Sequence, residues 1–205
     1  MSMISCFTSI AMPPPPDFQT KSIKNLLLAL NSTNVSVRTF AITGISWRLS
    51  IDNNSVDQRS IDMKSVADIV SKTSEFLKSD KSVEVRLASV NLLGQLSYAR
   101  WTNTDQMIMY CLTDREPIVR IRSIDWLNMI THERHERLPA AAINALMSCL
   151  NPTVGSEVLW QASLVAGEIG PDATLVVPLL ENLLSYPNEK VRLYSKEALQ
   201  KINIK

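Results

Sequence analysis

Glycine is scarce in this chain, with five in 205 residues. Tight β-hairpins rely on glycine where φ must be positive, so an all-β fold would lack its turn residues and helix is favoured. An excess of one charge is missing too. The 21 Lys and Arg against 20 Asp and Glu leave a net +1, without the basic surplus of a nucleic-acid binder. The most basic stretch holds Arg115, Arg120, Arg122, Arg134 and Arg137, interleaved with Glu116, Asp125, Glu133 and Glu136. It reads as a solvated mixed surface. Cysteine is sparse: Cys6, Cys111 and Cys149 are odd in number, far apart and without metal-ligand spacing. That excludes a disulfide framework and points to thiols in a reducing, cytoplasmic setting. No run of about 18 apolar residues occurs, so no membrane-spanning helix and no membrane partner is expected.

Sites of chemistry are also lacking. The one histidine cluster, His132-Glu133-Arg134-His135-Glu136, is not His-Glu-x-x-His, so its two imidazoles do not share a helical face. No nucleophile stands at a recognisable spacing from a base, and no glycine-rich loop could cradle a phosphate. No catalytic residue, cofactor or metal is therefore expected.

What the chain does have is ordinary globular composition, 45% hydrophobic and 20% charged, and an internal repeat. From Val85 the positions +4, +7, +8 and +11 are Ser89, Leu92, Leu93 and Leu96. From Val119 they are Ser123, Trp126, Leu127 and Ile130; from Val191, Ser195, Ala198, Leu199 and Ile202. From Val158 they are Ala162, Val165, Ala166 and Ile169; from Val37, Ala41, Gly44, Ile45 and then Arg48, which breaks the pattern. These offsets trace one stripe of an α-helix, and the +4 residue is small each time, as close helix packing requires. Each stripe follows a second apolar segment ending at Leu30, Leu77, Leu112, Leu150 or Leu184, seven or eight residues before the reference valine. The turns between carry capping or breaking residues such as Asn34, Asp80, Pro117, Pro152 and Asn188. The polar stretch Asn53, Asn54, Ser55, Asp57 and Gln58 accounts for the longest interval and reads as an insertion between units one and two.

Val85-Arg86, Val119-Arg120 and Val191-Arg192, the turn Asp114-Arg-Glu-Pro117, and the junction Ala166-Gly-Glu-Ile-Gly170-Pro171 resemble the HEAT repeat, in the short bacterial style also found in phycobilisome lyases. The resemblance covers about residues 19–205, with Leu159 standing where unit four should carry its Arg. It implies an all-α fold, a right-handed α-α superhelix (α-solenoid) of about five helical hairpins. Approximate units are 19–50, 61–99, 103–131, 138–170 and 173–203, after a disordered proline-containing tail over 1–18. It further implies that the repeated Arg pairs with a turn Asp of an adjacent unit, Asp80 and Asp114 being candidates. One HEAT family, the deoxyhypusine hydroxylases, binds two irons with His-Glu pairs at the openings of repeat helices; here those openings read Val-Arg or Val-Leu.

The function expected is a non-enzymatic, soluble scaffold that binds another protein on the concave face made by the second helices. The alternatives are a HEAT-type enzyme or enzyme accessory, lyase-like or DNA-glycosylase-like, and a nucleic-acid binder. Trp126 falls on the core stripe at +7 and is expected to be buried, which counts against a glycosylase site. Off-stripe residues should form the binding surface, with Leu87, Arg122 and Trp160 as its candidate partner-binding residues.

Overall fold

The computed structural model describes residues 15–54 and 62–203. The chain divides into two compact units, Met1–Trp101 and Thr102–Lys205. Among the described residues there are helices, turns and no strand.

The first unit opens on a short helix, α1 (Pro16–Gln19), followed by the hairpin α2 (Ile23–Ala29) and α3 (Val35–Asn54). A second hairpin pairs α4 (Met63–Ser79) with α5 (Val83–Tyr98). Caps set the helix starts: Ser22, Asp62 and Ser82 accept from the backbone N–H groups of Asn25, Ser65 and Val85, each satisfying a donor the first turn would leave orphaned. The core lies where α3 packs on α5 and each second helix packs on its first, around Leu26, Ile42, Ile45, Ile69, Leu92 and Leu93.

The second unit holds three more hairpins. The first is α6 (Asp105–Tyr110), continued by a 3₁₀ turn over Cys111–Thr113, with α7 (Pro117–Arg134). The next is α8 (Ala140–Cys149) with α9 (Ser156–Ile169), and the last α10 (Val177–Leu183) with α11 (Glu189–Ile202). Pro117 sits in the first turn of α7, where a missing N–H costs nothing. The helical run Ser156–Leu183 is long and apolar enough, by length and composition, to cross a membrane. Leu159, Val165, Ala166, Val176 and Leu180 of this run are buried in the unit's core, while Leu175 is exposed.

The repeated stripe is buried as its periodicity predicts: Val85, Leu92, Leu93, Val119, Ile130, Val191 and Ala198 are each 2% exposed or less. Trp126 at +7 is buried as well. The +4 serines explain how two helices approach without stranding a hydroxyl. Ser89 Oγ donates to the Val85 carbonyl at 2.8 Å and Ser123 Oγ to that of Val119 at 2.9 Å, so each polar group is satisfied inside its own helix.

Unit four differs by one residue from the sequence expectation. Leu159 is fully buried while Val158 is only half-buried, and Ser163 Oγ donates to the Leu159 carbonyl at 2.9 Å. Leu159 is therefore the counterpart of the reference valines, Ser163 of the serines, and Trp160 of the arginines. The extra residue is taken up in the turn by a 3₁₀ segment, Pro152–Val154, and by Gly155 at φ +90°, a conformation that side chains resist.

The last residues of the tail expected over 1–18 are helical. Residues 16–18 belong to α1, where Pro16 occupies the helix start and Phe18 packs its ring 5.6 Å from that of Phe40 on α3. The rest of that segment, with Cys6, Pro13 and Pro14, lies outside the described residues, as do Ser55, Asp57 and Gln58 of the insertion. Asn53 and Asn54 are not loop: they close α3.

Candidate docking face on the second helices

The arginine after each reference valine performs a repeated task that spacing alone did not disclose. Its Nη1 reaches back and donates to two carbonyls of the hairpin turn, six and five residues earlier. Arg38 reaches Ser32 and Thr33, both at 2.9 Å; Arg86 reaches Asp80 and Lys81 at 3.1 and 3.2 Å. Arg120 reaches Asp114 and Arg115 at 2.6 and 3.3 Å; Arg192 reaches Tyr186 and Pro187 at 2.8 and 2.7 Å. These carbonyls follow the first helix of each hairpin, where acceptors lack helical partners and the helix dipole is negative, so a guanidinium there is favoured twice over. The adjacent-unit pairing implied by the family resemblance is present for Arg38, whose Nε and Nη2 grip the two carboxylate oxygens of Asp80 at 2.9 and 3.1 Å.

Hairpin four breaks this rule. Trp160 cannot clamp carbonyls, and its turn is held instead by Asn151, which accepts from Thr153 N at 3.0 Å. The indole is half-buried. Its Nε1 donates to Glu157 Oε2 at 2.9 Å, and the other oxygen of Glu157 accepts from Gln161 at 2.9 Å. The ring lies 5.3 Å from that of Tyr194 on α11, tilted by 35°, and Lys190 Nζ sits 3.4 Å from the Trp160 ring centre.

Of the three candidate residues, one lies in the first unit and two in the second. Leu87 is half-buried on α5, in the first unit. Arg122 was expected on the exposed side of α7 and is instead only 9% exposed, with Nη1 donating to Asp125 Oδ2 at 2.9 Å. A long apolar stem lets arginine follow its helix into the packed layer while its head group pairs with a carboxylate one turn on. Arg122 thus offers no free charge to a partner.

Beside that pair a polar row crosses three helices. Lys201 on α11 bonds Glu168 on α9 at 2.6 Å, and Glu168 acts electrostatically on Asp125 of α7. Burial raises the Asp125 carboxyl above its ordinary value of 3.8; Arg122 opposes the rise and Glu168 adds to it. A raised acid holds its proton longer in the folded than in the unfolded chain. Its stabilising contribution is therefore complete below about pH 3.8 and declines as pH climbs through the folded-state value. Asp125→Asn removes the titration, so in thermal melts the variant should gain on the native chain as pH rises from 4 to 7. A difference that stays flat or runs the other way would mean that Arg122 outweighs burial.

The histidine cluster lies at the end of α7, with His132 and Glu133 exposed and His135 closing the helix at φ 56°. Arg134 there bonds Asp105 at 2.5 Å, tying the two ends of hairpin three. Burial pushes the Cys149 thiol up, against the pull of Arg120 and Ser148, which makes it a packing residue and a poor nucleophile.

No family model matches the sequence, and no curated protein matches it. Solved structures do share its fold. The complex of CpcE and CpcF of phycocyanin lyase from Nostoc sp. PCC7120 is similar with a TM-score of 0.57 at 18% identity, over 89% of this chain. The chain spans 65% of the length of that protein. A designed armadillo repeat protein is similar with a TM-score of 0.53 at 17% identity, over 88% of this chain and 82% of its own. Both are helical-repeat proteins, and the chain has an armadillo-like, HEAT-type α-solenoid fold.

Proposed function

We propose that this chain is a non-enzymatic, cytoplasmic scaffold that binds another protein on the face lined by its second helices, with Trp160 as an anchor. One observation carries this: the position that elsewhere holds a turn-clamping arginine is given in hairpin four to a half-buried tryptophan. A residue that departs from its own repeat, and that no longer performs the repeat's turn-clamping task, is where function is expected. Tryptophan is also the side chain most enriched at binding hot spots. Leu87 on α5 is the corresponding candidate in the first unit. Arg122 serves by holding Asp125 beneath the face and makes no contact of its own. The likeness to a phycocyanin lyase complex, at 18% identity, is a likeness of fold and carries no activity to this chain.

Affinity capture with the full chain, followed by mass spectrometry, compares the native protein with Trp160→Ala. Protein bound by the native chain should be lost by at least fivefold, equivalent to about 1 kcal/mol. The circular-dichroism melt should fall by about 1–2 kcal/mol, less than for a core aromatic, because part of the ring faces solvent and its contacts are with side chains at the surface of α9 and α11. A fall of about 3–5 kcal/mol, typical of a core aromatic truncation, would place Trp160 in the core and end its role as anchor.

A further inference from the structure

We propose that Trp160, Tyr194 and Glu157 form a seat for the guanidinium or ammonium of a basic peptide segment of the partner, and that Lys190 occupies this seat from within the chain. This rests on the scaffold role and names the partner's chemistry. Three features of the geometry select a cation. The Trp160 face already carries one, Lys190 Nζ, at 3.4 Å from the ring centre. The indole N–H donates to a carboxylate, Glu157 Oε2 at 2.9 Å, which shifts electron density into the ring and makes its face more attractive to positive charge. Tyr194 packs near the indole, ring centres 5.3 Å apart and tilted by 35°, so a second aromatic ring helps to hold the Trp160 face in place for the cation.

Lys190 is a replaceable occupant. It is exposed, and it follows Glu189 in the first turn of α11, where the helix dipole disfavours a cation. Its own backbone N–H is held by the Asn188 cap, so the side chain can swing away without disturbing the helix. A lysine of this kind lowers the affinity of an external cation by competition. It also keeps the aromatic face covered while no partner is bound.

The probe is an acetylated, amidated Gly-Arg-Gly-Arg-Gly peptide, with the same peptide carrying citrulline for arginine as its neutral counterpart. Binding is followed on the Trp160 indole N–H resonance of the full chain, assigned by its loss in Trp160→Phe. The arginine peptide should shift that resonance and the citrulline peptide should not. Lys190→Ala should tighten the arginine peptide about threefold, as expected from removing an exposed cation–π contact of roughly 0.5–1 kcal/mol. Glu157→Gln should weaken it. If Lys190 is only a staple between α9 and α11, Lys190→Ala lowers the melt and leaves the affinity unchanged, and the seat is refuted. Equal binding of the citrulline peptide refutes it as well. Should Trp160→Ala abolish partner capture while the arginine peptide binds neither the native chain nor Lys190→Ala, the cation seat falls and the scaffold role stands on an apolar anchor.

Discussion

Replacing Arg86 by methionine is expected to cost about 3 kcal/mol of stability, a large share of what a domain this size possesses. Methionine keeps most of the apolar stem, so the loss isolates the head group. Arg86 is 3% exposed, and its Nη1 serves the carbonyls of Asp80 and Lys81. Each hydrogen bond from a charged donor contributes about 1.5–3 kcal/mol, and acceptors left without a partner in a packed turn add their desolvation cost. Arg86→Lys should recover only part, since the lysine Nζ stands one bond short of the Nη1 that serves both carbonyls. Arg192→Met, at a half-buried position, should lose less because water can reach its turn. Urea unfolding followed by circular dichroism measures all three. A loss below about 1 kcal/mol for Arg86→Met would show that the turns hold their shape without the clamp.

Much of this fold was legible because several signals agree at the same residues. Val85, Val119 and Val191 mark the phase of their helices three ways at once: by the apolar stripe, by a serine four residues on, and by an arginine one residue on. Where one signal drops out, phase is lost. α9 carries Val158, Leu159 and Trp160 in succession, so hydrophobicity alone fits two registers. Without the arginine, the eight-residue spacing from Leu150 favours Val158 over Leu159. Ser163 held the information, since three other units place serine at that position and only its register aligns all four. The clamp itself was not legible, because a hydrogen bond from side chain to turn carbonyl depends on where the backbone bends. The burial of Arg122 escaped for a related reason: its polar head finds Asp125 within the same helix, and the sequence cannot distinguish a pair in solvent from a pair in a packed layer. The short α1 was hidden behind prolines that read as a spacer, although proline is well suited to the first turn of a helix. The surroundings of Trp160, the proposed anchor, were illegible, because Tyr194 and Lys190 reach it from a helix some thirty residues further along the chain.

Gly167→Val is expected to cost about 3 kcal/mol, at the upper end of the range for overpacking a tight interface. Gly167 lies in α9 against α11, where a Cβ would come within 3.1 Å of Ala198 Cα and 3.4 Å of Ala198 Cβ. The nearer obstacle is backbone, which cannot swing aside as a side chain does. Small residues meet along this seam: Gly167 lies against Ala198, and Ser163 against Ser195 with the two hydroxyls 3.0 Å apart. Valine would wedge the helices apart and open those contacts along their length. Gly167→Ala should be milder: its single Cβ can be accommodated by a shift of a few tenths of an ångström, and alanine returns up to about 1 kcal/mol of helix propensity. The expected order is therefore native and Gly167→Ala within about 1 kcal/mol of each other, with Gly167→Val far below both. Pairing the valine with Ala198→Gly should recover part of the loss, since it removes the second of the two Ala198 atoms that the new side chain meets. Thermal and urea melts of the four proteins decide it. A valine variant as stable as the alanine one would mean that α9 and α11 do not lie as close as this packing requires.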